Sequence, residues 1–396
     1  MSINKFGTDY LLLGLRVGKV IDGFVDAYYG PSELHDLVDK EEPQSPTSLI
    51  KACKNLQNQL NEQGFSKERV KYMKKTLKAI ETSLNIISGK DFSFLEKVSK
   101  IYGIKPELID DSEFYKLKEE INSIFEGSEE LSNRIIAFKN KHNLPMDILK
   151  NTFEKASKVI RERTYNMFPD LLPVGESISI EIVKDKPWGA YNWYQGNFKS
   201  RIEINTDIPL DCMNVLSFIT HEAYPGHHTE HSVKEKYLYK DQNRFEHSIL
   251  MIFTPEAVVT EGIGNTAIDV LFTDQEKGQF ILDRLCHKSS EANLDLIINY
   301  CQIQGELLKL LNNLAIHAHQ DGWSDEELVK YALDFDLAPE NLIRQRLQFI
   351  RHPLWSTYVF NYTYGEKLIK QNFGKNPSPE DFKKLLLNPF LPSDLI

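Results

Sequence analysis

Cysteine is scarce in this sequence of 396 residues, and its few copies are widely spaced. The four cysteines are Cys53, Cys212, Cys286 and Cys301, and no two of them form a Cys-x-x-Cys motif. A disulfide scaffold and a zinc ribbon both require cysteines in pairs or clusters, so the sequence argues against both. We therefore predict that all four cysteines are free thiols.

Long apolar runs are also absent. A transmembrane helix needs about 18 or more consecutive apolar residues, and no segment reaches that length. The N-terminus begins with polar residues and has only a short apolar run at Leu11–Leu15, which does not fit the pattern of a secretory signal peptide. We therefore predict a soluble, cytoplasmic protein that has no membrane partner.

Positive charge is in the minority. The sequence has 47 lysines and arginines against 57 aspartates and glutamates, which gives a formal net charge of −10. Such an average field repels the phosphates of a nucleic acid unless basic residues are concentrated in a patch. Lysine-rich stretches such as Arg69–Lys78 are instead interrupted by apolar residues at helical spacing, which is typical of a solvated helix face. A nucleic-acid partner is therefore not expected.

Helical spacing dominates the first part of the chain. Hydrophobic residues make up 41% and charged residues 26% of the sequence, as in an ordinary globular protein. Between Ser48 and Met167 apolar residues recur at intervals of three and four, for example in Lys67–Ile87 and Met146–Tyr165. This spacing predicts a helical scaffold.

The pattern changes after this scaffold. Phe168–Gly175 contains two prolines and a glycine, which favours a break. Ser177–Val183 and Arg201–Asn205 then alternate between apolar and polar residues, which predicts two short strands joined by an aromatic loop. Helical sequence resumes at Asp211 and continues to the end.

Four of the eleven histidines lie within the single stretch Ser217–His231. They are His221, His227, His228 and His231, and Glu222 follows the first of them. Imidazoles and carboxylates bind divalent metals and carry protons, so this dense cluster predicts a metal site.

The cluster departs from the His-Glu-x-x-His signature of zinc hydrolases, in which two histidines four residues apart share one helix face. The fourth residue after His221 is Pro225. On an undistorted helix His221 and His228 would be about 10 Å apart along the axis, too far to share one ion. Pro225 and Gly226 permit a bulge, which would bring in His227 if two residues loop out, or His228 if three do.

The run HEAYPGHH at His221–His228, followed later by Thr260–Gly262, resembles the DUF885 family, whose relatives are zinc metallopeptidases of the gluzincin kind. Further segments that resemble the family are Gly189–Tyr191, Gly196–Phe198, Arg201–Thr206, Arg351, Pro353 and Tyr362–Gly365. The resemblance implies a gluzincin-like or carboxypeptidase-like cleft. It also implies that His221 and His227 hold zinc, that Glu261 is the third protein ligand, and that Glu222 is the general base.

Hydrolysis by an activated water suits these residues. Two neutral imidazoles and one carboxylate leave zinc with a net positive charge and an open position for water, whose pKa falls toward neutrality. Glu222 could accept the proton of that water and pass it to a leaving amine. A phenol or a guanidinium would stabilise the tetrahedral oxyanion, and the candidates are Tyr362, Tyr364 and Arg351.

Substrate binding is assigned to Tyr191, Arg201 and Asn205. Tyr191 belongs to the aromatic loop before the second predicted strand. Arg201–Asn205 is predicted to be an exposed edge strand, which could pair with an extended peptide.

A mainly α fold follows, with a small β-sheet beside a metal-bearing helix. The change of composition near residue 170 divides the chain into a helical N-terminal scaffold, residues 1–170, and a lobe of residues 171–396 that carries the metal site, the sheet and the C-terminal helices. One continuous domain with a cleft is the alternative.

The predicted function is that of a zinc-dependent hydrolase, a peptidase or carboxypeptidase-like enzyme with a peptide substrate and Zn²⁺ as cofactor. A non-catalytic metal- or peptide-binding protein that keeps the same residues is the alternative. A minor third interpretation is a dinucleotide site, because Gly262–Ala267 fits the pattern Gly-x-Gly-x-x-Ala. The sequence does not indicate an oligomeric state.

Overall fold

Helices account for 65% of the protein, and the strands form small sheets. The computed structural model describes residues 3–186, 188–207, 209–286, 293–352 and 354–396. At this level the predicted mainly α fold is confirmed.

The helices of the N-terminal part follow the predicted apolar spacing. They are α1 (Lys5–Gly18), α2 (Ser32–Asp39), α3 (Pro46–Gln59), α4 (Lys67–Ile87), α5 (Phe94–Tyr102), α6 (Asp111–Ile124), α7 (Leu131–Lys141) and α8 (Met146–Met167). Polar side chains at their starts accept hydrogen bonds from backbone amides that have no partner within the helix. Ser66 accepts from the amide of Arg69, and Ser93 forms a capping box with Glu96.

Helices resume after the larger sheet. They are α9 (Cys212–Phe218), α10 (His227–Lys234), α11 (Glu256–Leu271), α12 (Asp274–Phe280), α13 (Leu294–Gln304), α14 (Leu308–Ile316), α15 (Asp325–Asp334), α16 (Glu340–Ile350), α17 (Val359–Phe373) and α18 (Pro379–Leu387). Several of them continue as π-helical turns, namely Ile219–Ala223, Glu235–Asp241, Ile281–Leu285 and His317–Asp321. None of the described helices is both long and apolar enough to span a membrane.

Five strands are described, in two sheets. They are β1 (Val25–Tyr28), β2 (Ser177–Val183), β3 (Ala190–Gly196), β4 (Lys199–Asn205) and β5 (Ile249–Met251). The larger sheet has the order β2-β4-β3, with β2 parallel and β3 antiparallel to β4.

The prediction of an exposed edge strand at Arg201–Asn205 is wrong. These residues belong to β4, which is hydrogen-bonded on one side to β2 and on the other to β3. The supposed aromatic loop supplies β3 itself. Because both edges of β4 are already occupied, a peptide substrate cannot add to this strand.

Contacts cross the predicted boundary at residue 170. β1 pairs antiparallel with β5, and Arg69 of α4 forms an ion pair of 2.7 Å with Glu246. A single cluster of buried apolar side chains extends from Phe6 to Leu395. The division into two lobes stays a prediction, and these contacts favour the alternative of one continuous domain.

A disulfide joins Cys212, at the start of α9, to Cys286, just after the π-turn Ile281–Leu285. The prediction that all cysteines are free is therefore wrong for this pair, while Cys53 and Cys301 are free thiols. The two residues are 74 positions apart, so their spacing carried no signal, and only the packing of α9 against the π-turn brings them together.

Candidate metal centre

His221 lies on a π-helical turn that continues α9. Asp211 and Asn214 form the capping box that starts this helix. After about two turns the helix widens into the π-turn Ile219–Ala223, which carries both His221 and Glu222. Such local widening of a helix is frequent at functional sites.

Pro225 and Gly226 end this turn, and α10 begins immediately afterwards at His227. The Tyr224–Pro225 peptide bond is cis. A side chain on Gly226 would lie 2.0 Å from the carbonyl oxygen of His221, so this close approach of backbone requires glycine. The ring centroids of His221 and His227 are consequently only 4.5 Å apart.

His221, His227 and Glu261 meet at this point. Each offers one ligand atom, and these atoms lie within 4.8 Å of one another. His221 Nε2 is 3.4 Å from Glu261 Oε2, a buried oxygen that has no hydrogen-bond partner among the described residues. Two imidazoles and a carboxylate form a donor set that holds zinc in hydrolases, so these residues fit that ion. Their role as ligands stays a prediction.

Glu261 is placed by the close packing of α11 against α17. A side chain on Gly365 would lie 2.0 Å from the Val258 carbonyl oxygen, so the two helices meet backbone to backbone. Tyr358, just before α17, donates its phenol hydrogen to Glu261 Oε1 and leaves Oε2 directed at the histidines. Tyr358 was missed by the sequence reasoning, because only the packing of distant helices brings it to Glu261.

The dinucleotide interpretation of Gly262–Ala267 is wrong. These residues lie inside α11 and not in the turn between a strand and a helix. Their glycines serve helix packing instead. A side chain on Gly262 would meet Gly365, and one on Gly264 would lie 2.7 Å from the ring of His221.

Glu222 is buried beside the two histidines and is only 8% exposed. Burial raises the pKa of the Glu222 carboxyl above its usual range, although the charges of His221 and His227 act in the opposite direction. Asn192 of β3 donates a hydrogen bond to the Glu222 carbonyl oxygen, which fixes the π-turn against the sheet. A carboxylate whose pKa is raised is a stronger proton acceptor.

His228, the alternative second ligand, points away from this cluster. Its Nε2 lies 2.9 Å from Glu176 Oε2 and its Nδ1 lies 2.8 Å from Ser200 Oγ. Burial lowers the pKa of His228 despite the neighbouring Glu176. Because both ring nitrogens are engaged on the other side of α10, His228 is a structural residue and the assignment of His228 as a ligand is wrong.

Tyr191 and Tyr362 lie near the candidate ligands. The Tyr191 phenol donates a hydrogen bond to Asp26 of β1, and burial raises the pKa of that carboxyl to about 6. Burial and the charges of Glu261 and Glu222 raise the pKa of the Tyr362 phenol. Asp26 was missed, because only the pairing of β1 with β5 brings the N-terminal strand here.

Arg351 is not brought to the site. Its guanidinium donates to Asp325 Oδ1 at 2.7 Å and to the carbonyl oxygens of Ala318 and Trp323 at 3.3 and 2.6 Å. The bond to Asp325 connects the C-terminal end of α16 with the first residue of α15. The prediction that Arg351 stabilises an oxyanion therefore stays a prediction that these bonds do not favour. Pro353, the other predicted residue of this segment, lies outside the described residues.

Tyr364 is also directed elsewhere. Its phenol oxygen accepts a hydrogen bond of 3.0 Å from the Glu107 amide and donates one of 3.3 Å to the Lys105 carbonyl oxygen. Tyr362 and Tyr364 are two residues apart on α17, so they occupy different faces of the helix. The catalytic role of Tyr364 therefore stays a prediction that these bonds do not favour.

Arg201 and Asn205 are bound within the sheet region. Arg201 forms ion pairs of 3.3 Å with both Glu181 and Glu203. Asn205 Nδ2 donates to the carbonyl oxygens of Lys186 and Trp188 at 2.8 and 2.9 Å. Their hydrogen-bonding groups therefore stabilise the sheet and its loop, and their role in substrate binding stays a prediction that these bonds do not favour.

No family model matches this sequence, and no curated protein matches it. Solved structures do match. One is the crystal structure of a "putative lipoprotein" from Colwellia psychrerythraea, with 12% sequence identity and a TM-score of 0.54, covering 92% of this chain and 68% of that chain. Another is a "putative lipoprotein of unknown function" from Shewanella oneidensis, with 13% identity and a TM-score of 0.44, covering 87% of this chain and 71% of that chain.

Two predictions are corrected by these comparisons. The identification with DUF885 is wrong, because no family model matches and the Colwellia neighbour is not described as a peptidase. The prediction of a cytoplasmic protein is contradicted as well, because the Colwellia neighbour is described as a lipoprotein. The short motif HEAYPGHH therefore does not establish that this chain belongs to the DUF885 family.

Proposed function

We propose that the protein is a zinc-dependent hydrolase that cleaves peptide bonds, as a peptidase or carboxypeptidase-like enzyme. The observation that carries the proposal is the convergence of His221, His227 and Glu261, with Glu222 beside them. Three protein ligands leave a zinc position open for chemistry. A site that only binds metal has no use for the additional buried carboxylate of Glu222, whereas a hydrolase needs a proton acceptor there.

Each residue has a task in this proposal. When bound, zinc supplies Lewis acidity that makes a scissile carbonyl more electrophilic. Glu222 takes a proton from the attacking water and delivers it to the departing amine. The phenol of Tyr362 stays protonated because its pKa is raised, and it donates a hydrogen bond to the oxygen on which negative charge develops. Tyr191, whose phenol is held by Asp26, would orient the substrate.

We also infer that the protein works in an oxidising compartment. The disulfide between Cys212 and Cys286 supports this inference, because disulfides are rare where thiols are kept reduced. The description of the Colwellia structure as a "putative lipoprotein" agrees with a location outside the cytoplasm.

Metal analysis of the purified protein tests the foundation of the proposal. The wild type is expected to hold about one zinc per chain, and His221→Ala to lose it, because a three-residue site rarely survives the loss of one ligand. His35→Asn is the matched control, since His35 is exposed and its imidazole pairs with Asp39, on a helix far along the chain from the candidate ligands. A wild type that binds no zinc, or a His221→Ala variant that binds it normally, would refute the site.

Glu222→Gln separates an enzyme from a binding protein. The variant is expected to keep its zinc while hydrolysis of a mixed peptide library falls by about 10²–10⁴-fold, since only proton transfer is lost. If the zinc-loaded wild type hydrolyses no member of the library, the non-catalytic alternative replaces the enzyme.

A further inference from the structure

Glu230 lies directly behind His227, one turn further along α10. It is fully buried, and its Oε2 is 4.0 Å from His227 Nδ1. Both of these atoms are buried without a hydrogen-bond partner in the described part of the chain. A donor and an acceptor that face each other and have no other partner are expected to form a hydrogen bond, because a buried polar atom left alone costs about 1–3 kcal/mol.

The other oxygen of Glu230 is already occupied. Lys234 Nζ lies 2.6 Å from Oε1, and the hydroxyl of Thr260 donates to the same oxygen at 3.0 Å. The carboxylate is thereby held in one orientation, and Oε2 is the oxygen that faces the imidazole. Lys234 is itself fixed by a second ion pair of 2.7 Å to Glu256, whose other oxygen accepts from the phenol of Tyr72.

The position of Nδ1 also defines the other ring nitrogen. With Nδ1 directed at Glu230, the remaining nitrogen of His227, Nε2, is the one that can face His221 and Glu261. Histidines that bind metals commonly donate their second N–H to a carboxylate, which fixes the tautomer and the plane of the ring.

We propose that Glu230 is a positioning residue, whose Oε2 accepts a hydrogen bond from Nδ1–H of His227 and so keeps the Nε2 lone pair directed at the metal position. This inference rests on the proposed zinc site. Lys234 and Thr260 orient Glu230, so a chain of contacts runs from the interior of the molecule to one candidate ligand.

The competing explanation is that Glu230 only neutralises the buried Lys234. Glu256 provides a matched control, because it pairs with the same lysine but is not the carboxylate that faces Nδ1 of His227. If Glu230 only neutralised Lys234, Glu230→Gln and Glu256→Gln would destabilise the protein to a similar extent. The two variants would then also have similar affinities for zinc.

Zinc affinity measured by competition with a chelator distinguishes the two explanations. Glu230→Gln is expected to bind zinc about 10–100-fold more weakly than the wild type, as is typical when a partner of a metal-bound histidine is lost. Glu256→Gln is expected to retain affinity close to that of the wild type, and Glu230→Asp to recover part of the loss. Equal affinities in Glu230→Gln and Glu256→Gln would overturn the proposal.

A measurement on the metal-free wild type needs no variant. Burial lowers the pKa of His227, but the carboxylates of Glu230, Glu261 and Glu222 outweigh it and raise the pKa to about 9, so the neutral ring is observed at about pH 10. Nitrogen NMR of labelled histidine is expected to show the proton on Nδ1 of His227. A proton on Nε2 would overturn the proposal. Should the wild type bind no zinc, the proposed function fails, and this measurement alone decides the role of Glu230.

Discussion

Tyr362 and Tyr364 stand two residues apart on α17 and face different surroundings. The phenol of Tyr362 is within reach of the charges of Glu222 and Glu261, whereas that of Tyr364 is bonded to the backbone around Lys105. Tyr362→Phe is therefore expected to lower kcat by about 10²-fold with little change in KM, because its hydrogen bond forms as charge develops in the transition state. Steady-state kinetics on the best peptide found for the wild type provides the measurement.

Tyr364→Phe is the control for this prediction. It removes the same hydroxyl from the same helix but breaks only the bonds to the backbone of Lys105 and Glu107. We expect a loss of roughly 1 kcal/mol of stability and an unchanged kcat. Equal effects of the two substitutions on kcat would exclude the proposed role of Tyr362.

His247 makes the stability of the fold sensitive to acid. Burial lowers the pKa of His247 to about 4, although Glu246 and Glu256 act in the opposite direction. The unfolded chain binds a proton at this residue below about pH 6.5, and the folded chain does not until about pH 4. Stability present above pH 6.5 is therefore lost as the pH falls through this window, by up to about 3 kcal/mol.

Urea unfolding between pH 4 and 7 checks this prediction. His247→Gln cannot titrate, so its free energy of unfolding is expected to depend less steeply on pH than that of the wild type. Other buried histidines, such as His228, remain in both proteins and cancel in the comparison. Parallel curves for the two proteins would show that His247 does not cause the effect.

At the scale of elements, the packing of α11 positions His221 as well as Glu261. A side chain on Gly264 would lie 2.7–2.9 Å from three atoms of the His221 ring, so alanine at this position must displace the imidazole. We expect Gly264→Ala to weaken zinc binding by at least about tenfold, since ligands tolerate little displacement. Gly305→Ala is the control, because a side chain there meets nothing within 4 Å. Unchanged zinc affinity in Gly264→Ala would show that His221 is not held by this contact.

Elements whose pattern is local were predicted well from the sequence. The spacing of apolar residues predicted Lys67–Ile87, which is α4 with the same bounds. The strand β3 was missed, because AYNWYQG lacks a clear alternation of apolar and polar residues. The central position of β4 depends on its parallel pairing with β2, and such non-local pairing has no local signal.

In the candidate site, too, only features with a local sequence signal could be predicted. The interruption at Pro225 and Gly226 could be anticipated, since proline and glycine act on the backbone where they stand. The residues that surround the histidines could not. Asp26 and Tyr358 reach the site through the β1–β5 pairing and the packing of α11 against α17.

At the scale of the whole molecule, the disulfide connects the candidate site to a distant part of the chain. Cys212 begins α9, which continues into the turn of His221, and Cys286 lies 74 residues later. A crosslink over such a span removes conformational freedom from the unfolded chain, worth roughly 4 kcal/mol in the chain-entropy description. Covalent and non-covalent contacts thus hold the start of α9 in place.

The N-terminal part of the chain is expected to be necessary for the fold of the candidate site. β1 pairs with β5 and supplies Asp26, while α4 supplies Arg69 to Glu246 and Tyr72 to Glu256. Removing residues 1–170 would expose the edge of β5 that pairs with β1. It would also leave the buried Glu246 without the guanidinium of Arg69, and an unpaired buried charge lowers the free energy of unfolding. A fragment of residues 171–396 is therefore expected to unfold without a cooperative transition and to bind no zinc, as measured by circular dichroism and metal analysis.

Addition of residues 1–170 to the fragment is expected to restore cooperative unfolding and zinc binding. A fragment that unfolds cooperatively and binds zinc by itself would instead establish residues 171–396 as an independent lobe.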